Sequence, residues 1–100
     1  MDRIVYTGPE YGAKILHHRL GDVFEVVYVD PTPESLLPEF EKCTVFLDAS
    51  MKVPIDDMNI AQSTKLKLVI TATTGANHID GFALEKRNIP LLTLKGQNEL

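Results

Sequence analysis

The sequence has 100 residues, of which 44% are hydrophobic and 24% charged, and its net charge is −4. This length suits one domain with one core, the short apolar runs argue against a membrane span, and the lack of a basic cluster argues against nucleic acid as a partner. Cys43 is the single cysteine, which excludes an internal disulfide and predicts a buried, inert thiol. Because the start of the chain also lacks a signal-like segment, we expect a cytoplasmic location.

Short apolar runs alternate with helical spacing of apolar residues along the whole sequence. In chain order, the predicted elements are a strand at 4–6, a helix at 10–20, a strand at 23–29, a helix at 35–42, a strand at 44–47, a helix that Pro54 opens, a strand at 66–70, a helix at 81–87 and a strand at 89–94. We found no internal repeat or low-complexity tract, so the sequence predicts residues 1–100 to be one domain.

Capping residues support two of these helices. Ser35 is the expected N-cap of the second helix, which places Pro38 in the first turn, where a proline is tolerated. Asp80 is the expected N-cap of the fourth helix, and Asn88 is expected to end it in a left-handed conformation.

Strands that alternate with helices at this spacing indicate right-handed crossovers and an all-parallel sheet. We therefore predict an α/β fold of the flavodoxin-like type, with three layers and a doubly wound five-stranded sheet in the order 2-1-3-4-5. Only residues 95–100 follow the fifth strand, so the last helix of such a fold is expected to be lacking. This predicts that the chain is a fragment and that half of one sheet face is uncovered. The isolated chain is then expected to self-associate through that face or to swap elements with a second copy.

In open parallel sheets, ligands bind beyond the carboxyl ends of the strands. The polar residues expected there are Thr7, Gly8, residues 48–52, residues 73–77 and Lys95. Each of these is also a common turn residue. The loop after the fourth strand is the best candidate, because Gly75 lets backbone N–H groups approach an anion closely.

Several other chemistries are disfavoured by residue spacing. His17 and His18 are adjacent on a helix and His78 stands alone, so no metal site is expected and all three are predicted to be solvated. The sequence has no G-x-S-x-G elbow for a hydrolase. It also has no G-x-G-x-x-G fingerprint, so this chain is not expected to bind a dinucleotide by itself.

Three stretches resemble the substrate domain of the D-isomer-specific 2-hydroxyacid dehydrogenases: residues 66–69 (LKLV), 74–80 (TGANHID) and 83–92 (ALEKRNIPLL). Residues 48–53 and 94–97 are similar to the family mainly in pattern. Two positions depart from it, because Asn77 stands where an Asp is common and Thr73 where a glycine is usual.

The resemblance implies the N-terminal part of a two-domain, NAD-dependent enzyme. Such an enzyme transfers a hydride between NAD(H) and a 2-hydroxy or 2-oxo acid. Its Rossmann domain binds NAD and lies outside this chain, as do its catalytic Arg, Glu and His. The resemblance therefore assigns no catalytic or cofactor-binding residue here, and the chain alone is expected to be inactive. The substrate carboxylate would bind the backbone amides of Thr74 and Gly75, opposite a wall formed by Ser50, Met51 and Lys52.

Two other function classes remain open. A response-regulator receiver has the same topology, and Asp48 and Lys95 resemble its phosphoacceptor Asp and its Lys, with Thr71 or Thr73 as its Thr. The acidic pair that holds Mg²⁺ in receivers is replaced by Thr7 and Gly8, which disfavours phosphoryl transfer. The third possibility is a non-catalytic small-molecule or protein-binding module on the same fold.

Overall fold

The computed structural model describes residues 2–72 and 77–93. Strands and helices alternate through this part of the chain. They are β1 (Asp2–Thr7), α1 (Glu10–Leu20), β2 (Phe24–Tyr28), α2 (Pro33–Phe40), β3 (Val45–Asp48), α3 (Asp57–Gln62), β4 (Leu68–Thr71), α4 (Gly81–Glu85) and β5 (Leu91–Thr93).

The five strands form one sheet in the order β2-β1-β3-β4-β5, and every pairing is parallel. The predicted fold class is confirmed. Because the strands are parallel, their carboxyl ends meet at one edge of the sheet, and the register places Asp48 between Thr7 on one side and Thr71 on the other.

The core lies on the sheet face that α2, α3 and α4 cover. Val5, Phe46 and Val69 contribute the sheet side of this core, and the rings of Phe40 and Phe46 meet edge to face with their centroids 5.2 Å apart. Cys43 belongs to the same cluster, and its thiol donates to the carbonyl oxygen of Phe40 at 3.2 Å. Burial raises the pKa of this thiol to about 12, which keeps it protonated and inert at neutral pH.

The opposite sheet face carries α1 near β1 and β2, where Leu16 and Tyr6 line a common cleft. Beyond α1, the apolar side chains of β3, β4 and β5 on this face are only partly buried, and we call them the open face. The open face comprises Val45, Leu47, Leu68, Ile70 and Leu92. Among the described residues, no further helix packs on these side chains.

Helix α2 begins earlier than predicted. The side chain of Thr32, not of Ser35, is the N-cap, and it accepts a hydrogen bond from the Ser35 N–H at 3.3 Å. Pro33 therefore occupies the first helical position, and Pro38 lies inside the helix rather than in its first turn. A proline is well suited to the first position and costly in the interior.

Helix α3 begins later than predicted. Pro54 does not open it, because the backbone of Ile55 forms a parallel bridge with Ile79 instead. The helix begins after Asp56, which forms a reciprocal capping box with Asn59. Helix α4 follows the prediction at its start, where the Asp80 side chain accepts from the Ala83 N–H at 3.0 Å.

The end of α4 also has the predicted conformation, because Asn88 has a φ of 58°. None of the helices within residues 2–72 and 77–93 is long and apolar enough to cross a membrane.

Candidate functional site

A row of polar residues ends three neighbouring strands. Thr7, Asp48 and Thr71 are the last residues of β1, β3 and β4, and all three are buried. Asp48 is only 2% exposed. A buried carboxylate is unfavourable unless hydrogen bonds replace its hydration, so we expect several donors around Asp48.

Both carboxylate oxygens of Asp48 accept several hydrogen bonds. Oδ1 accepts from the Thr7 hydroxyl at 2.6 Å, the Ser50 N–H at 3.0 Å and the Ser50 hydroxyl at 2.7 Å. Oδ2 accepts from the Met51 N–H at 3.0 Å and lies 2.6 Å from His78 Nε2. Because an ionised carboxylate can only accept, Nε2 is assigned as the protonated ring nitrogen.

The electrostatic state of Asp48 follows from these contacts. Burial by itself would raise the pKa of the Asp48 carboxyl, but the hydrogen bonds from Thr7, Ser50 and Met51 act in the opposite direction and hold that pKa below its ordinary value. Asp48 is therefore ionised at neutral pH.

The loop after β3 is wrapped around this carboxylate. Met51 has a φ of 57°, a left-handed backbone conformation that is uncommon for residues other than glycine. Its N–H donates a hydrogen bond to Asp48. The Lys52 N–H donates to the Ser50 hydroxyl oxygen at 3.3 Å. The backbone amides of residues 50–52 are thus directed inward, and the side chains of Met51 and Lys52 face solvent.

His78 is not solvated as predicted, because its side chain is only 9% exposed and contacts Asp48. Its carbonyl oxygen accepts from the Ile55 N–H at 2.8 Å, and the Asp80 N–H donates to the Ile55 carbonyl at 2.9 Å, which fixes the segment before α4. The Nδ1 atom is buried and has no hydrogen-bond partner among the described residues. His17 and His18 are exposed, as predicted.

The structure brings part of the predicted site together. Ser50, Met51 and Lys52 lie at the carboxyl edge of the sheet, while Thr74 and Gly75 fall outside the described residues, as do Thr73 and Lys95. The link between Asp48 and His78 was missed. The available signal was that Asp48 ends one strand and His78 lies in the connection that follows the adjacent parallel strand.

The receiver hypothesis is not supported by this geometry. A phosphoacceptor needs a free carboxylate oxygen and a nearby cation, whereas both oxygens of Asp48 are engaged by the protein's own donors. No group of three or more His, Cys, Asp or Glu side chains that could hold a metal ion occurs within residues 2–72 and 77–93.

The turn between β1 and α1 does not fit a dinucleotide. A Cβ atom placed on Gly8 would lie 2.7 Å from both the Ala49 Cβ and the Tyr6 hydroxyl, so close packing within the protein explains this glycine. Pro9 at the N-cap has no N–H to offer, and Glu10 puts a carboxylate in the first turn of the helix. Neither residue favours a phosphate group at this turn.

Together, these features define a doubly wound α/β domain whose candidate ligand edge lies beyond β3 and β4. Comparison with known families gives a more specific assignment. The family described as D-isomer specific 2-hydroxyacid dehydrogenase, catalytic domain, matches residues 4–99, so the chain belongs to this family.

Solved structures share the fold at low sequence identity. NAD-dependent formate dehydrogenase from Staphylococcus aureus, in complex with NAD, matches with a TM-score of 0.77 and 21% identity over 94% of this chain and 31% of that chain. NAD⁺-bound 3-phosphoglycerate dehydrogenase of Entamoeba histolytica matches with a TM-score of 0.79 and 21% identity over 92% of this chain and 32% of that chain.

D-lactate dehydrogenase from Aquifex aeolicus, complexed with NAD and lactic acid, matches with a TM-score of 0.74 and 18% identity over 90% of this chain and 27% of that chain. The chain therefore spans about a third or less of these proteins. No match was found among curated protein sequences.

Proposed function

We propose that this chain is the substrate-binding part of an NAD-dependent oxidoreductase that transfers a hydride between NAD(H) and a 2-hydroxy or 2-oxo acid. The observation that carries the proposal is the family match over residues 4–99. The structures reported with NAD, and with lactic acid in one case, support it by similarity of fold. The cytoplasmic location stays a prediction.

In this proposal the chain holds the acid and contributes no catalytic residue. The substrate carboxylate binds the backbone amides of Thr74 and Gly75, and Ser50, Met51 and Lys52 form the opposite wall. The Ser50 and Met51 N–H groups already donate to Asp48, so they do not face the substrate. The exposed Lys52 ammonium is then the positive group of that wall. A hydrogen bond from an amide to a carboxylate contributes about 1.5 to 3 kcal/mol.

The cofactor binds a part of the protein outside this chain, in agreement with the poor fit of the β1–α1 turn. When bound, NAD supplies the hydride acceptor or donor. The residues of this chain orient the acid and, when the domains close, exclude water from it.

The test is an NADH oxidation assay of the intact protein that carries this chain, with a panel of 2-oxo acids. We expect turnover with at least one acid, and none with the 100-residue chain alone. Gly75→Val should reduce kcat/KM for the acid about 10- to 100-fold, the equivalent of one lost charge-assisted hydrogen bond. Gly81→Ala is the matched control, because nothing lies within 4 Å of its added Cβ.

An intact protein that binds neither NADH nor any 2-oxo acid would favour the non-catalytic binding module. Turnover with an unchanged kcat/KM in Gly75→Val would place the substrate carboxylate elsewhere and leave the enzyme class intact.

A further inference from the structure

We propose that Asp48 and His78 are positioning residues for the substrate cleft. One buried carboxylate ties the loop after β3 to the segment before α4, and so positions the loop that forms one wall of the proposed cleft, at residues 50–52. The kinetic part of this inference rests on the proposed function, whereas its structural part does not.

The contacts of Asp48 join segments that are distant in sequence. Its partners Ser50 and Met51 belong to one proposed wall, and His78, 30 residues away along the chain, belongs to the segment that follows the other. His78 is in turn tied through its carbonyl oxygen to Ile55. A shift of the carboxylate would therefore be transmitted to the loop after β3 and to the segment before α4.

A carboxylate is required at this position, and an amide cannot replace it. The Ser50 N–H approaches Oδ1 and the Met51 N–H approaches Oδ2, and neither backbone donor can become an acceptor. Either orientation of an asparagine would direct its NH₂ group at one of these two N–H groups. Asp48→Asn therefore keeps the size of the side chain and breaks the connection.

The bond between Asp48 and the loop also maintains an unfavourable backbone conformation. Met51 is held at a φ of 57°, and its side chain is 40% exposed at the edge of the sheet. A left-handed conformation at such a residue persists when its surroundings impose it, and it often marks a position where geometry matters for function. Without the Asp48 acceptor, we expect this loop to relax away from the cleft.

The orientation of His78 gives an independent signature. His78 Nε2 carries the proton of the 2.6 Å contact with Asp48 Oδ2, and Nδ1 is buried without a hydrogen-bond partner among the described residues. The Nε2 proton is therefore expected to be hydrogen-bonded and shielded from solvent only while the Asp48 carboxylate is in place.

The experiment compares four variants of the intact protein: Asp48→Asn, His78→Leu, His78→Gln and Asp22→Asn. His78→Leu removes the donor to Oδ2, whereas glutamine can return an N–H near the position of Nε2. Asp22 is exposed, so Asp22→Asn is the control for loss of a negative charge. Variants that unfold are recognised by circular dichroism, and the two His78 variants then carry the test.

Three measurements follow. Hydrogen exchange of the Ser50 and Met51 amides, with the Val69 amide in β4 as reference, should accelerate at least about tenfold in Asp48→Asn and His78→Leu. NMR should show the Nε2 proton of His78 exchanging slowly with solvent in the wild type, because it is hydrogen-bonded to Asp48, and exchanging faster in Asp48→Asn. KM for the 2-oxo acid should rise about tenfold in both variants, while KM for NADH changes less than about twofold. His78→Gln and Asp22→Asn should stay close to the wild type.

Unchanged exchange of the Ser50 and Met51 amides in Asp48→Asn and His78→Leu would overturn the connection itself. Faster exchange with an unchanged KM for the acid would overturn the positioning role, because the contacts would then serve only the fold. A wild-type protein without turnover contradicts the proposed function instead, and in that case the exchange of the Ser50 and Met51 amides and of the His78 Nε2 proton still decides whether Asp48 joins the two segments.

Discussion

The ring of Tyr6 is packed against two glycines, Gly8 just after β1 and Gly12 near the start of α1. Its hydroxyl donates to the Pro9 carbonyl at 2.9 Å, and the ring lies 5.8 Å from that of Tyr28. A Cβ atom added to Gly12 would lie 2.2 Å from the Tyr6 hydroxyl, and one added to Gly8 would lie 2.7 Å from it. Gly12 is therefore explained by contact with a buried tyrosine, since helix propensity alone would disfavour it.

Gly12→Ala should destabilise the protein, although alanine is the better helix former. The gain in propensity is about 1 kcal/mol, but overpacking against a buried ring costs about 1 to 3 kcal/mol, and the Tyr6 hydrogen bond to Pro9 must shift as well. Gly81→Ala at the start of α4 meets no atom within 4 Å and should be neutral or stabilising by up to about 1 kcal/mol. Urea unfolding of both variants measures the difference, and equal signs would contradict this interpretation of Gly12.

At the same scale, sequence reasoning located the candidate edge but not its internal contacts. Residues 48–52 could be assigned there because polar residues after an apolar run end a strand. His78 was predicted to be solvated because no partner stands near it in sequence. Its contact with Asp48 depends on β3 pairing with β4 and on the bridge between Ile55 and Ile79, which periodicity does not report.

Helix α2 begins at a different residue from the one predicted, and its two prolines therefore occupy different helical positions. The Thr32 cap and the bond from the Leu36 N–H to the Thr32 carbonyl, at 2.9 Å, start the helix before Ser35. The spacing of apolar residues was enough to predict that each strand and helix exists. The residue at which a helix begins depends instead on which of several polar side chains accepts hydrogen bonds from the first free N–H groups of that helix. The start of α3 was missed for the same reason, because Asp56 and Asn59 make its cap and Pro54 does not.

The two prolines of α2 should respond to replacement in opposite directions. Pro38 is exposed and lies inside the helix, where its lack of an N–H removes a hydrogen bond to the Glu34 carbonyl. Proline also restricts the unfolded chain, and alanine loses that benefit. With both effects counted, Pro38→Ala should stabilise the protein by about 1 to 2 kcal/mol. Pro33 is at the favoured first position, and Pro33→Ala should be neutral or destabilising by up to about 1 kcal/mol.

Thermal unfolding can resolve these changes, because 1 kcal/mol shifts the Tm of a domain of this size by about 4 to 8 °C. A fall in Tm for Pro38→Ala would mean that the helix is bent around this proline in a way that the rest of the core requires.

At the scale of the whole molecule, the alternation of strands and helices predicted the sheet order because parallel strands need crossovers of one hand. That the open face lacks a covering helix stays a prediction, made because only residues 95–100 follow the fifth strand. This face contrasts with the other side of the sheet, where Phe46 and Val69 are almost completely buried. In the structure, the open face ends at Leu92, which is 44% exposed and pairs in register with Ile70.

We therefore expect the 100-residue chain, prepared alone, to self-associate through the open face. Leu92→Lys should weaken this association at least about tenfold, because burying a leucine is worth roughly 1.5 to 3 kcal/mol and a lysine there would have to lose its hydration. Phe82→Lys is the matched control: Phe82 is 84% exposed, but it lies on α4, whose buried residues pack on the opposite face of the sheet.

Sedimentation velocity over a range of concentrations provides the measurement, with circular dichroism to verify that each variant is folded. Loss of association in Phe82→Lys but not in Leu92→Lys would move the contact surface to α4, and a strict monomer at every concentration would show that the partly buried side chains of β3, β4 and β5 need no cover. Because Leu92 lies on the edge strand β5, the comparison tests the sheet order and the open face together.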